Sequence, residues 1–369
     1  MGTASDEPNR EKRVFFGARL PPFGSPQVNE ANHVSPQMLV FQRKIGTRCV
    51  QEGWLTDSVQ GEGMNRLQRS AITAALEMVV ILGLVGSLTS PQEKHGKEFW
   101  KKIAAGRYAV PEGENGFALA KELSANLKSS DPELRDDLAY SILAAWVVRP
   151  GILNGDELLT LEEEWRGNLK TGIGESGTDA VFGRSFSALC LAAIAEREAG
   201  TPFMGEERYR KLLEAALNYL RDEKDLRGFD QKKGWIHATA HTADLLAELV
   251  RHPLFTQEDQ GIVLKAIGQR LETAHVIFAF GEQDRLGNAL AAMARRGDFV
   301  AAGFEAWLHQ MDQADQAIWK DSPPKMEGLM RFENDTYLLS GFVARISQEG
   351  TSGAAEEARK VALVSLRRR

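Results

Sequence analysis

Apolar positions recur at three- and four-residue spacing from about Lys94 to Ser347, the period of amphipathic helices. Ser130 or Asp131 can cap a helix with Pro132 at its first position, placing Leu134, Leu138, Ser141, Ile142 and Ala145 on one face. A second helix opens at Asp156 and runs through Trp165. A third, Asp179 to Glu198, turns Val181, Phe182, Phe186, Leu189 and Ala193 inward. A fourth, Glu206 to Arg221, does the same with Leu212, Leu213, Ala216 and Leu220. Segments Trp235–Val250, Gln257–Ala274, Gln283–Ala294 and Asp298–Met311 continue the series, and no run alternates with the period of a strand. The connections are short and carry Gly, Pro or Asp, as in Gly200-Thr-Pro, Arg251-His-Pro, Gly281-Glu and Arg296-Gly-Asp, so successive helices pack as antiparallel neighbours. Such pairs recur roughly every 40 residues. The expected fold is all-α: a helical-repeat α-solenoid of the HEAT or armadillo kind, or a closed α/α toroid. No consensus between the pairs chooses between the two.

The ends differ from this pattern. Residues 1–63 hold Pro21, Pro22, Pro26 and Pro36 and sustain no period, so they read as a disordered leader. Residues 64–90 begin with Arg66 and Arg69, continue through an apolar run over 71–88 broken by Glu77, and close on the small Gly86 and Ser87. Basic start, apolar run and small end are the parts of a secretory signal, in which case the leader is an upstream-start artefact. A retained membrane anchor is the second reading, since the run approaches the ~20 residues that span a bilayer. A buried helix is the third, and Glu77 favours it, because a carboxylate at the bilayer centre costs about 2.5–3.5 kcal/mol. A signal or anchor places the protein in the cell envelope or outside the cell, with membrane contact only through residues 71–88; otherwise it is cytoplasmic. Residues 91–347 form the all-α domain, and 348–369 a basic-ended stretch that is a mobile helix or tail.

With 43% hydrophobic residues the chain can bury a full core, which excludes a disordered or fibrous protein. A net charge of −6 argues against general nucleic-acid binding. Cys49 and Cys190 are too few for a disulfide scaffold and lack metal-site spacing, and Cys190 sits in an apolar helix as an inert, buried thiol.

Gly172-Ile-Gly174-Glu-Ser-Gly177 spells the dinucleotide fingerprint, but that motif needs a strand immediately before it, and Leu158–Lys170 has a helical period. It reads as an interhelical loop leading to a cap at Thr178 or Asp179, and no nucleotide is expected. The sharpest cluster is Gly234-Trp-Ile-His237-Ala-Thr-Ala-His241-Thr-Ala-Asp244-Leu-Leu-Ala-Glu248. On a helix His237, His241, Asp244 and Glu248 share one stripe. Two imidazoles at i and i+4 with a carboxylate beyond suit a divalent metal on His237, His241 and Asp244. Equally, His237 or His241 can act as general base with Asp244 fixing its tautomer. The plain alternative is that the stripe is the polar face of an amphipathic helix whose opposite face carries Trp235, Leu245, Leu246, Leu249 and Val250. Arg184, one turn into its helix, can receive an anion at the helix N-terminus; Asp179 as cap and Arg184 in an ion pair account for the same residues without a ligand. Phe280-Gly-Glu282-Gln-Asp-Arg285 reads as ordinary capping, and the tryptophans sit mostly at core spacing.

Taken in order, Asp131-Pro-Glu-Leu-Arg-Asp-Asp-Leu-Ala-Tyr-Ser-Ile-Leu, the Gly172–Leu189 run, Glu223-Lys-Asp-Leu-Arg-Gly-Phe and Gly234-Trp-Ile-His-Ala-Thr-Ala-His resemble the bacterial domain of unknown function 2785 over roughly residues 115–345. Thr242 stands where relatives usually carry Gly, and Gly183 where they carry a larger residue. The resemblance implies an all-α fold and supplies no activity. Two classes of function therefore stand. The first is a helical-repeat module whose surface binds a protein or a cell-envelope component. The second is a hydrolase- or lyase-type enzyme with His237 or His241 as base, Asp244 as its orienting partner and Arg184 on an anionic group, with or without a divalent metal.

Overall fold

The computed structural model describes residues 94–348 and 353–369, all within the compact unit Pro91–Arg369. The leader and the apolar segment over 71–88 lie outside the described residues. Among the described residues no helix is long and apolar enough to cross a membrane.

The unit is all-α. In chain order the helices are α1 (Lys97–Ala105), α2 (Gly116–Ser124), α3 (Ser141–Val148, entered through a π-helical stretch Glu133–Tyr140), α4 (Gly155–Asn168), α5 (Ala180–Gly200), α6 (Gly205–Asp222), α7 (Ala238–Arg251), α8 (Gln257–Glu272), α9 (Glu282–Ala294), α10 (Ala301–Ile318), α11 (Met326–Gln348) and α12 (Gly353–Arg368). Several starts are set locally. Asn154 and Glu157 form a capping box at α4, Thr256 and Asp259 another at α8, and Asn115 accepts the Ala118 N–H at α2. Asp131 Oδ1 accepts the Glu133 and Leu134 N–H groups at 3.0 and 3.4 Å, as the Asp-Pro start predicts.

The helices pack in two rows. α3, α5, α7, α9 and α11 lie against one another in sequence order; α6, α8, α10 and α12 form a second row, with α6 on α7 and α10 on α11. Helices apolar on every side are the ones such a layering encloses. From Val181 to Ala195 nearly every side chain of α5 is buried, as is most of α7, whereas α6 buries only its Leu212, Leu213, Ala216 and Leu220 side.

Two expectations fail here, each for a local reason. The helix expected from Trp235 begins at Ala238. Phe229–Asp230 (β1) and Gly234–Trp235 (β2) form a short antiparallel hairpin, and Asp230 Oδ1 holds its turn by accepting the Lys232 and Lys233 N–H groups. Gly234 takes a φ of 73° and His237 a left-handed φ of 50°, so helical backbone starts only after them. Residues 353–369 form a helix that is packed rather than mobile: α12 buries Ala355, Ala358, Ala362 and Ser365, Ser365 bonds to Asp312, and Arg369 pairs with Asp312 and Asp315 on α10.

Candidate functional site

Around the hairpin the structure assembles a buried polar cluster from α3, α5, α7 and the loop before α9. His237 is 5% exposed. Its Nε2 lies 2.9 Å from the Phe280 carbonyl oxygen, which can only accept, so Nε2 carries the proton and Nδ1 the lone pair. The ring stacks on Trp235 at 4.3 Å. Burial pulls its pKa down to about 4, against the opposing pull of the Phe280 bond.

His241 is also buried. Ser185 Oγ lies between the Ile236 carbonyl and His241 Nδ1, 2.8 Å from the latter. The carbonyl takes the hydroxyl proton, so Nδ1–H donates to Ser185 and the lone pair sits on Nε2. Burial, then the neighbouring His237 and Arg285, hold this imidazole neutral, well below its usual range. The two rings meet edge to face with centroids 5.6 Å apart.

The stripe is therefore not a solvated polar face. α7 packs between α5 and α9, which covers the His241 side as well as the leucines. The two carboxylates of the stripe pair with arginines. Asp244 pairs with Arg285, and burial raises its carboxyl to about 6 despite that partner. Glu248 pairs with Arg251 at 2.6 Å. Asp244 thus orients neither imidazole, and among the described residues no three His, Cys, Asp or Glu side chains gather as a metal-ligand set. The expected set His237, His241 and Asp244 does not form.

Arg184 is placed elsewhere. Wholly buried, it grips Glu223 through Nε at 2.6 Å and Nη2 at 3.0 Å, and donates to the carbonyls of Thr171, Gly172 and Glu175. With Asp225 accepting the Gly177 N–H, it ties down the glycine-rich loop, whose Gly172, Gly174 and Gly177 all have positive φ and which follows helix α4 rather than a strand. The ion-pair reading of Arg184 holds; the cap does not. Asp179 makes no side-chain cap bond and pairs instead with Lys233 of the hairpin turn.

Sequence reasoning passed over the residues that complete the cluster. Arg135, fully buried, donates to the Ser129, Lys233 and Trp235 carbonyls and lies over the Phe182 ring at 3.9 Å, locking the π-helical stretch before α3 to the hairpin. Its neighbour Asp136, 2.6 Å from Arg135 Nε, is raised by burial to about 7, with Arg135 pulling it down. The Asp131–Leu143 run carried that signal only as part of a family pattern.

Above the cluster the surface is aromatic. Phe229 is 42% and Phe280 48% exposed, and both belong to one group with Trp235: Phe229 meets Trp235 at 4.8 Å and Phe280 at 6.4 Å. The backbone below leaves no slack, since a Cβ on Gly228 would fall 2.4 Å from the Phe280 ring.

Comparison with protein-family models matches residues 169–343 to one described as protein of unknown function (DUF2785). No curated protein and no solved structure matches the chain.

Proposed function

Residues 169–343 match the family model of the DUF2785 proteins of unknown function, and on that premise we propose that the chain is a binding module on a two-row helical solenoid, recognising a partner through the aromatic face of its hairpin. One observation carries this reading: Phe229 and Phe280 stand in solvent, yet each is fixed by what lies beneath it. The Phe280 carbonyl is held by His237, and Phe229 is paired across the hairpin with Trp235, whose carbonyl is held by Arg135. Rigid, exposed aromatic groups lose little conformational freedom on association and form the usual anchors of protein interfaces. The partner this face suits is a protein segment with an apolar anchor residue; a cell-envelope glycan is the competing occupant.

The test is selection from a displayed peptide library on the wild-type chain, with immobilised cell-wall glycan as a parallel arm. Phe229→Ala/Phe280→Ala should keep the wild-type melting temperature and weaken selected peptides about tenfold or more. Peptides that bind both proteins equally would refute the surface, and binding only to glycan would change the partner class.

A second reading rests on Asp136 and Asp244, whose carboxyls burial raises to about 7 and 6, the range useful for acid–base chemistry. It treats the protein as a metal-free hydrolase or lyase. Hydrolytic turnover that disappears in Asp136→Asn and survives Phe280→Ala would favour it over the binding module.

A further inference from the structure

The aromatic face continues beyond the hairpin. Among the described residues ten large hydrophobic side chains stand in solvent, and six of them, Ile173, Phe229, Ile277, Phe280, Trp319 and Met326, lie where the chain enters α5, α7, α9 and α11. The loops that follow α5, α7 and α9 contribute Val300 alone. The four entry loops are tied side by side. Arg227 donates to the Thr178 carbonyl and Asp225 accepts the Gly177 N–H, joining the loop before α5 to the hairpin. The His237 bond and the Phe229 ring join the hairpin to Phe280. Buried Asn334 accepts the Phe278 N–H at 2.7 Å and donates to the Val276 carbonyl at 2.9 Å, fixing the loop before α9 on α11. Trp319 meets the Phe332 ring of α11 at 5.6 Å. Apolar side chains therefore line one edge of the first helix row, from Ile173 to Met326.

The edge also carries free positive charge, although the chain as a whole stands at −6. Lys170, Lys224, Lys232 and Lys320 belong to these loops and make no ion pair among the described residues. The loop carboxylates beside them are engaged: Asp179 by Lys233, Asp225 by Arg227 and Asp321 by Lys325. Glu175 accepts the Thr178 hydroxyl, and Asp230 the two N–H groups of the hairpin turn. Glu327, beside Met326, opposes this trend at the far end. α5 and α7 add their positive dipole ends, with no acidic residue in either first turn.

We propose that the partner of the hairpin face is an extended, acidic protein segment that lies along this whole edge, placing apolar side chains on Phe229 and Phe280 and again on Trp319 and Met326. The inference rests on the binding-module reading above and names the partner of that module. Packed helices stand about 8–10 Å apart, so four entry loops in a row span about 30 Å, the reach of about nine extended residues at about 3.3 Å each. Apolar anchors spaced along such a segment supply affinity. Carboxylates between them meet the unpaired lysines, which speeds encounter and turns basic segments away.

Selection on the full chain from a displayed library of random peptides of about twelve residues, long enough for that span, tests this. Enriched sequences should be net acidic and carry apolar residues at two or more separated positions. Trp319→Ser/Met326→Ser changes exposed side chains away from the hairpin, so it should keep the wild-type melting temperature and weaken the enriched peptides about tenfold. Lys232→Glu/Lys320→Glu should weaken them too, by a margin that shrinks as salt is raised. Peptides that lose affinity in Phe229→Ala/Phe280→Ala but not in Trp319→Ser/Met326→Ser would overturn the extended partner and leave the hairpin reading standing. Indifference to both pairs would overturn both. Enrichment of basic sequences would also overturn the proposal. So would binding to phosphatidylcholine vesicles containing about one-third phosphatidylglycerol with no peptide enriched, which would make the edge a lipid-surface contact.

Discussion

Replacing Arg184 by Met distinguishes a structural arginine from an anion-binding one. The substitution keeps most of the side-chain volume but removes five hydrogen bonds, two of them to Glu223. Glu223 is 2% exposed and sits beside the buried Tyr219, so its charge is left without a cation in contact. Breaking a buried ion pair from one side costs about 3–5 kcal/mol. The Thr171, Gly172 and Glu175 carbonyls belong to a loop with exposed residues, where water replaces the lost donors, so they add little. The expected loss is about 4 kcal/mol, which in a unit of this size lowers the melting temperature by about 10 °C. Urea unfolding followed by circular dichroism measures it, and Arg184→Met/Glu223→Leu closes the cycle. Because the double variant leaves no unpaired charge, it should be more stable than the sum of the single losses by about 2–3 kcal/mol. A loss below about 1 kcal/mol for Arg184→Met, with additive behaviour, would refute the buried staple and return Arg184 to the role of a ligand-binding group.

Other outcomes follow from the same geometry. His237 is held down at about 4 when folded and titrates near 6.5 when unfolded, so the unfolded chain takes up its proton first and stability falls as pH drops from about 6.5 through 4. His237→Asn tolerates the left-handed backbone and lacks this proton, so the stability difference between wild type and variant should shift by about 3 kcal/mol in the variant's favour between pH 7 and 4 in urea titrations. An unchanged difference would mean the imidazole is solvated. Asp136 works in the opposite sense: raised to about 7, it makes folding less favourable as pH climbs from about 4 to 7, and Asp136→Asn should flatten that part of the stability–pH curve. Gly287→Ala places a Cβ 2.7 Å from the Phe342 nitrogen where α9 crosses α11, and is expected to cost about 2 kcal/mol or more; Gly261→Ala, in open space on α8, should gain about 0.5–1 kcal/mol. Thermal unfolding of the two alanine variants checks both signs.

The helices were legible because their signal is local. Caps, prolines and the 3.6-residue apolar period act within one or two turns, so α5, α6, α8 and α9 begin and end within a few residues of their expected bounds. The start of α7 was not, because a left-handed His237 and a two-residue hairpin leave no periodic trace. The packing of the C-terminal helix was not legible for a related reason: its small residues Ala355, Ala358 and Ala362 form a stripe too weakly apolar to stand out, and become core only because α10 and α11 lie against them.

By itself the sequence determined an all-α chain, the place of most helices, and which residue types crowd around Gly234–Glu248. Tertiary structure alone decided what those residues do. Helical spacing places His237, His241, Asp244 and Glu248 on one stripe, but the partners of the first three come from segments distant in sequence: Phe280 and Arg285 from the α9 region and Ser185 from α5. A side chain's charge state and role are set by burial and by the groups that close around it, and neither quantity is a property of its own helix.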